Sequence, residues 1–395
     1  KITLSHAYKK NGLRSQLMRP SSYDQAAFHE GFADIIALLK ILQNKELVAF
    51  AVRDHLKPTQ TGTISLADAF AAIGKGTFLN GLAQQMGSAL AGMGRDALRR
   101  SIDLEPIPEH YTGDDFREAH DRGEILVAAV MRAFRMVWES RLYEKVTDGG
   151  KVPESHRVAA WRVEEEGAKA ARHLMQMMIR ALDYLPPVHV DFGDFLSAVL
   201  TADWQICPDD QAYGYREVLR SSFLDYGIKP ASTANNVAEP GIWGDGTDGR
   251  DISYLSGNME SMRWNREGIF RLIWKNYERL GMHRDVFTRV NSVRPVWRVG
   301  PDGFVLHETV AEYYQLFKRA YRSDLRRLKI DVPDYMEESM NVDIIGGGTL
   351  IFDEFGRLKF HIHNRIGNAE DQRKRLDCLW GHGAFGGQSD DVRRF

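Results

Sequence analysis

The sequence predicts a mainly α-helical lobe followed by a smaller α+β domain that contains an antiparallel sheet. Apolar residues recur at helical spacing through most of residues 26–230, and no strand pattern of any length interrupts them. The stretch 229–258 is rich in Pro, Gly, Asn, Ser and Asp, which is typical of a linker. β-rich segments that flank turn sequences come after it. We therefore place the lobe at 1–228, the linker at 229–260 and the α+β domain at 261–395.

Composition is that of an ordinary globular protein and argues against several classes of partner. The chain has 395 residues, of which 43% are hydrophobic and 27% charged, so it can bury one large core or two smaller ones. Its 52 basic and 54 acidic side chains give a net charge of -2, and we therefore expect no nucleic-acid partner. No apolar run approaches about 18 residues, so we expect no membrane span.

Two further features concern the compartment and the start of the chain. Cys207 and Cys378 are the only cysteines. They are too few for a disulfide framework and favour a reducing, cytoplasmic compartment. The sequence begins at Lys1 with neither a Met nor a signal-peptide pattern, so we expect a processed or truncated product.

The helices of the predicted lobe follow from the spacing of apolar residues. In the first helix, Phe28, Phe32 and Ile36 recur at helical spacing, and we expect them to face the core. Pro186 and Pro187 end the third helix, because proline lacks an amide donor and clashes with the preceding turn. The predicted helices span 26–50, 124–143, 163–185, 190–202 and 213–226, with a further one near 266–280.

Two hairpins are predicted in the α+β domain from turn sequences between β-rich runs. Gly300-Pro301-Asp302-Gly303 separates the runs 290–299 and 304–310. Asp353-Glu354-Phe355-Gly356-Arg357 separates the runs 349–352 and 358–363. We expect the hairpins to pair in one sheet, with a helix over about 315–328 joining them. A bend or bulge is expected at Gly346-Gly347-Gly348.

A pair of carboxylates in the first helix is the most informative local pattern. The segment reads Phe28-His29-Glu30-Gly31-Phe32-Ala33-Asp34-Ile35. Glu30 and Asp34 are four residues apart, so both side chains lie on the same side of the helix. Taken alone, such a pair is compatible with an ordinary solvated helix face as well as with a functional site.

This segment resembles the second zinc helix of the gluzincin metallopeptidases, the thermolysin-like group. That resemblance implies a gluzincin-like helical lobe in which Glu30 is a zinc ligand and Asp34 orients a ligand histidine. It covers about 200 residues, from Lys1 to roughly Tyr226. The family's other two ligands come from an H-E-x-x-H motif on the preceding helix.

His6 occupies the position expected for the second histidine of that motif, 24 residues before Glu30. The resemblance therefore implies His6 as a second zinc ligand. Ile2 and Thr3 then stand where the family has its first His and its catalytic Glu. Three explanations stay open: the motif begins outside the given sequence, the motif is degenerate, or His6 is unrelated to it.

A second motif supports the same resemblance. His120 precedes a predicted helix, with Asp115 five residues before it and Gly123 three residues after it. Taken alone, a histidine in this setting is typical of a cap or a surface residue. The resemblance implies instead that His120 donates a hydrogen bond to the oxyanion of the tetrahedral intermediate and that Asp115 braces its ring. Gly123 allows close packing at the helix start.

Together these motifs predict a zinc-dependent metallopeptidase that hydrolyses peptide bonds in a peptide or protein substrate. The catalytic base is not visible in the sequence. A partner chain or a separate N-terminal lobe is one source for the missing residues. The alternative is a non-catalytic scaffold or protein-interaction module that has lost its metal site, and Thr3 at the place of the catalytic Glu favours it.

Overall fold

The computed structural model describes residues 22–75, 101–147, 156–210, 212–234, 237–246, 252–254, 263–300 and 302–381, with the side chains of 145–147 excepted. The chain divides into two compact units. We call the first the helical unit, which contains Ala27–Ala181 and Ala202–Ala231. We call the second the sheet unit, which contains Lys1–Ala26, Leu182–Thr201 and Ser232–Phe395.

This division differs from the predicted boundaries 1–228, 229–260 and 261–395, because Leu182–Thr201 groups with the sheet. Thr349 Oγ1 donates to the carbonyl of Leu185 at 2.6 Å, and Asn364 Nδ2 donates to that of Val188 at 3.0 Å. These contacts join residues more than 150 positions apart in the chain. Sequence spacing alone therefore does not reveal them.

The first part of the described chain is mainly helical, as predicted. The two short strands β1 and β2 pair antiparallel and interrupt the helices, contrary to the expectation of no strand. At three residues each, they are too short to produce a readable alternation. The elements are α1 Tyr23–Leu42, α2 Lys45–Leu56, β1 Thr63–Ser65, α3 Leu66–Gly74, α4 Pro108–Thr112, α5 Ala119–Thr147, β2 Arg157–Ala159, α6 Ala160–Ala181, α7 Phe192–Trp204 and α8 Tyr215–Asp225.

Helix α5 forms the centre of the helical unit. Its residues 123–131 are all buried, so this stretch is covered by protein on every side. Trp138 packs against α6, where a Cβ atom on Gly167 would stand 2.5 Å from the indole ring. The indole also donates a hydrogen bond to the carbonyl of Val163 at 3.0 Å. Glycine at 167 therefore allows the two helices to enclose a buried tryptophan.

The sheet unit contains one four-stranded antiparallel sheet of order β3-β4-β5-β6, which confirms that both predicted hairpins share a sheet. The described parts of 229–260 form no helix or strand. Within the described residues, no helix is long and apolar enough to cross a membrane. The elements are α9 Arg266–Lys275, β3 Phe287–Val299, β4 Val305–Ala320, α10 Arg322–Arg327, β5 Val342–Phe352, β6 Leu358–Asn364 and α11 Ala369–Gly381.

Two local predictions for this sheet were wrong. The expected helix over 315–328 is reduced to α10, because residues 315–317 pair with β5 and extend β4. Gly346-Gly347-Gly348 lies in regular ladder pairing within β5 and not at a bulge. A Cβ atom on Gly347 would stand 2.6 Å from the carbonyl oxygen of Tyr313. Close backbone approach therefore explains glycine at this position better than a bend does.

The two faces of the sheet differ in chemistry. One face packs apolar residues such as Ala311, Leu350 and Phe352 against α9. Because side chains alternate along a strand, Glu308 and Glu312 lie on the opposite face, where they are buried in ion pairs with arginines of β3. The sheet is thus covered on both faces within its own unit.

Candidate functional site

Three of the five predicted site residues, Glu30, Asp34 and His120, lie where α1 crosses α5 in the helical unit. A Cβ atom on Gly31 would stand 2.9 Å from the carbonyl oxygen of Gly123. A Cβ atom on Gly123 would stand 3.2 Å from the amide nitrogen of Gly31 and 3.3 Å from the carbonyl oxygen of Ala27. The helix backbones therefore touch at these two glycines, as expected from Gly123. This contact brings the residues beside Gly31 close to the first turn of α5.

Glu30 and His120 meet at this crossing. The Oε2 atom of Glu30 lies 4.0 Å from Nδ1 of His120, and its Oε1 atom lies 3.9 Å from Nδ1 of His29. The side chain of Glu30 is 47% exposed and that of His120 is 71% exposed. A carboxylate flanked by two imidazoles is therefore open to a ligand from solvent.

Asp34 belongs to the same cluster, one helical turn after Glu30. Burial raises the pKa of its carboxyl group, and the negative charge of Glu30 raises it further. The charge of His120 lowers the pKa of Asp34 and partly offsets these effects. The three side chains thus act on one another electrostatically, which agrees with the convergence expected from the two motifs.

The buried stripe of α1 differs from the predicted one. Phe28, Phe32 and Ile36 are only half-buried, so their assignment to the core was wrong. The buried positions Ala27, Gly31 and Ile35 each stand one residue before the predicted ones, because α1 packs on α5 through Gly31. The buried positions of this helix are Asp24, Ala27, Gly31, Ile35, Leu38, Leu39 and Leu42.

Local hydrogen bonds set the position of His120 in the first turn of α5. The Glu118 carboxylate accepts hydrogen bonds from the amides of His120 and Asp121, at 2.8 and 3.1 Å, and so caps the helix. Arg122 donates to the carbonyls of Tyr111 and Phe116, at 3.3 and 3.1 Å, and holds the preceding loop against the helix. The backbone around His120 is therefore well supported although its ring is exposed.

Asp115 does not form the predicted brace. It is exposed, and among the described residues no hydrogen bond or ion pair joins it to His120. The physical reason is that Asp115 lies in the turn before α5, whereas the His120 ring extends from the helix toward Glu30. The other predicted zinc ligand, His6, lies outside the described residues.

The described residues fit a zinc site only in part. Zinc in proteins takes donors at about 2.0–2.2 Å in tetrahedral geometry, and Glu30 offers one carboxylate of a suitable kind. Within the described ranges, no group of three or more His, Cys, Asp or Glu side chains is arranged to hold a metal ion. The described part of the chain therefore does not complete the ligand set that the resemblance implies.

A second polar cluster in the helical unit was not predicted from the sequence. His173 of α6, Asp203 of α7 and Arg216 of α8 form a connected series of ion pairs. Each residue comes from a different helix, and none belongs to a local motif. No signal in the sequence alone could have identified this cluster.

Comparison of the chain with protein-family models, with curated proteins and with solved structures returns no match. The functional assignment therefore rests on the residues and on their geometry.

Proposed function

We propose that the helical unit belongs to a gluzincin-type zinc metallopeptidase that hydrolyses peptide bonds in a peptide or protein substrate. The observation in support is the convergence of Glu30 and Asp34 with His120 at the Gly31–Gly123 crossing. The two motifs are 90 residues apart in the sequence. The close packing of α1 on α5 at Gly31 and Gly123 brings them together.

The chain's own residues have distinct roles in this proposal. Zinc, when bound, polarises the scissile carbonyl and activates water. Glu30 supplies an anionic oxygen ligand, and Asp34 accepts a hydrogen bond from a ligand imidazole and fixes its orientation. His120 would donate a hydrogen bond to the carbonyl oxygen on which negative charge develops.

Zinc stoichiometry tests this proposal directly. The full chain is stripped with a chelator, incubated with zinc, dialysed and analysed for metal, together with Glu30→Gln. The matched control is Glu46→Gln, which removes an exposed carboxylate from the first turn of α2. We expect about one zinc per chain for the wild type and the control and none for Glu30→Gln. Equal zinc content in all three proteins, or none in any, would contradict the proposal.

The second candidate is a non-catalytic scaffold or interaction module, favoured by Thr3 at the position of the catalytic Glu. Peptide hydrolysis by the zinc-loaded chain separates the two functions. Zinc-dependent hydrolysis that is lost in Glu30→Gln supports the enzyme. A chain that binds no zinc supports the scaffold.

A further inference from the structure

The unpredicted cluster of His173, Asp203 and Arg216 lies beside a small pocket in the helical unit. Asp203 is almost fully buried, and its two carboxylate oxygens face different partners. Oδ1 lies 3.3 Å from Nε2 of His173, and Oδ2 lies 2.7 Å from Nη1 of Arg216. The carboxylate therefore links a fully buried guanidinium to an imidazole that is 38% exposed.

Arg216 neutralises the charge of Asp203 from the protein side. Its side chain has no exposed surface, and it also donates to the carbonyls of Cys207 and Pro208, at 2.7 and 3.0 Å. A buried arginine with this many acceptors is rigidly placed, because breaking any contact would leave buried polar atoms without a partner. The charges of Asp203 and Arg216 therefore cancel within this pair.

The pocket itself has a polar and an apolar side. Its volume is about 50 Å³, compared with roughly 150 Å³ for an engineered protein cavity that binds benzene. It can thus admit a ligand of only a few non-hydrogen atoms. The lining residues include His173, Gln176, Met177, Arg180, Asp203 and Ile206.

We propose that this pocket binds a carboxylate group on a short apolar stem. The charge of Asp203 is already paired with that of Arg216, so the guanidinium of Arg180, which lines the pocket, favours an anion there. Gln176 adds an amide donor, while Met177 and Ile206 offer an apolar wall for a methyl or methylene group. The apolar wall favours a carboxylate over phosphate, whose oxygens would lose hydration against it. This site is separate from Glu30 and His120 and does not depend on zinc.

Acetate is the probe that tests the proposal. The full chain is titrated with sodium acetate at constant ionic strength, and binding is followed by calorimetry or by NMR shifts of His173. We expect saturable binding with a dissociation constant of about millimolar order, in keeping with so small a ligand. Arg180→Gln should weaken binding by on the order of tenfold, because a charge-assisted hydrogen bond is lost.

The matched control is Arg172→Gln, an exposed arginine on the same helix that does not line the pocket. It should bind acetate as the wild type does. Equal weakening in both variants would indicate non-specific screening and would overturn the proposal, as would the absence of saturable binding. Tighter binding of inorganic phosphate than of acetate would also overturn it.

Two sources could supply such a carboxylate, and a further pair of ligands distinguishes them. Acetylglycine presents the carboxylate as a peptide C-terminus does, and acetylglycinamide is its neutral control. Acetylglycine binding more tightly than acetate would identify a peptide C-terminus as the source. Acetate binding more tightly would identify a small free carboxylic acid. Binding of acetylglycinamide as tight as that of acetylglycine would overturn recognition of a carboxylate.

Discussion

The carbonyl oxygen of Gly123 lies 2.9 Å from the point that a Cβ atom on Gly31 would occupy. Ordinary Cβ contacts to protein atoms are longer, so no side chain fits at this crossing. The same contact places Glu30 and His120 at 4.0 Å. The packing of α1 on α5 and the candidate site therefore depend on the same two glycines.

Gly31→Ala should destabilise the protein by about 1–3 kcal/mol, because its new methyl group would stand 2.9 Å from the backbone carbonyl oxygen of Gly123, which cannot move aside as a flexible side chain can. Urea unfolding measures this change in the free energy of unfolding. Gly74→Ala is the control, since among the residues that the structure describes its Cβ position meets only a carboxylate oxygen of the flexible Glu139 side chain, at 3.1 Å. We expect the control to change stability by less than about 0.5 kcal/mol. Equal losses in the two variants would contradict the close crossing.

His120→Ala should leave zinc content unchanged and lower the rate of peptide hydrolysis by a factor on the order of 10² to 10³, as for the loss of one oxyanion donor. The measurement compares kcat and bound zinc in the same preparation. His29→Ala is the matched control, because His29 also lies beside Glu30 but has no role in the proposed chemistry. A loss of zinc in His120→Ala would show that the imidazole is a ligand and would contradict the oxyanion role.

His189 should make the protein less stable in acid. Burial, helped by the nearby charge of Arg375, lowers its pKa from 6.5 to about 4. Since the folded-state pKa lies below the unfolded one, the stabilisation is present above pH 6.5 and is lost as the pH falls toward 4. The full loss is up to about 3 kcal/mol. His189→Asn should remove this pH dependence of the free energy of unfolding, as measured by urea unfolding at several pH values. Asparagine is the replacement because it tolerates the left-handed backbone of this residue.

Asp371 should make the protein less stable as the pH rises, which is the opposite of the effect of His189. Burial is the main cause that raises its pKa from 3.8 to about 6. The folded state therefore holds this proton more tightly, and the stabilisation present below pH 3.8 is lost as the pH rises through 6. Asp371→Asn should increase the free energy of unfolding at pH 7 by about 1 kcal/mol, a value reduced for the partial exposure of the group. An unchanged or lower stability at pH 7 would contradict this prediction.

The ion pair between Arg298 and Glu308 is buried on one face of the sheet. Arg298→Met should cost about 3–5 kcal/mol, because it leaves a buried carboxylate with Lys359 as its remaining partner, at 2.8 Å. Adding Glu308→Leu should recover part of that loss, since the buried carboxylate that has lost its Arg298 partner is then removed. Thermal and urea unfolding of both single variants and the double variant measure the coupling.

The exposed pair of Arg271 and Glu267 is the control for this experiment. Arg271→Met should cost less than about 1 kcal/mol, because both side chains are solvated. A loss as small as this in Arg298→Met would show that the buried network adds little to stability.

Local sequence patterns predicted most of the helices and both hairpins, because helical spacing and turn residues act within a few positions of the chain. Local sequence also predicted the Glu30–Asp34 pair of the candidate site. The spacing of Glu30 and Asp34 alone places both carboxylates on one side of a helix.

Tertiary packing decided the remaining features. Residues 315–317 became strand because β5 offered hydrogen-bonding partners to them, which outweighed their local preference. The meeting of Glu30 with His120 needed the contact of Gly31 with Gly123, and the pocket beside Asp203 needed side chains from different helices. Such contacts join distant parts of the chain through shape and burial, and neither property is encoded in the order of neighbouring residues.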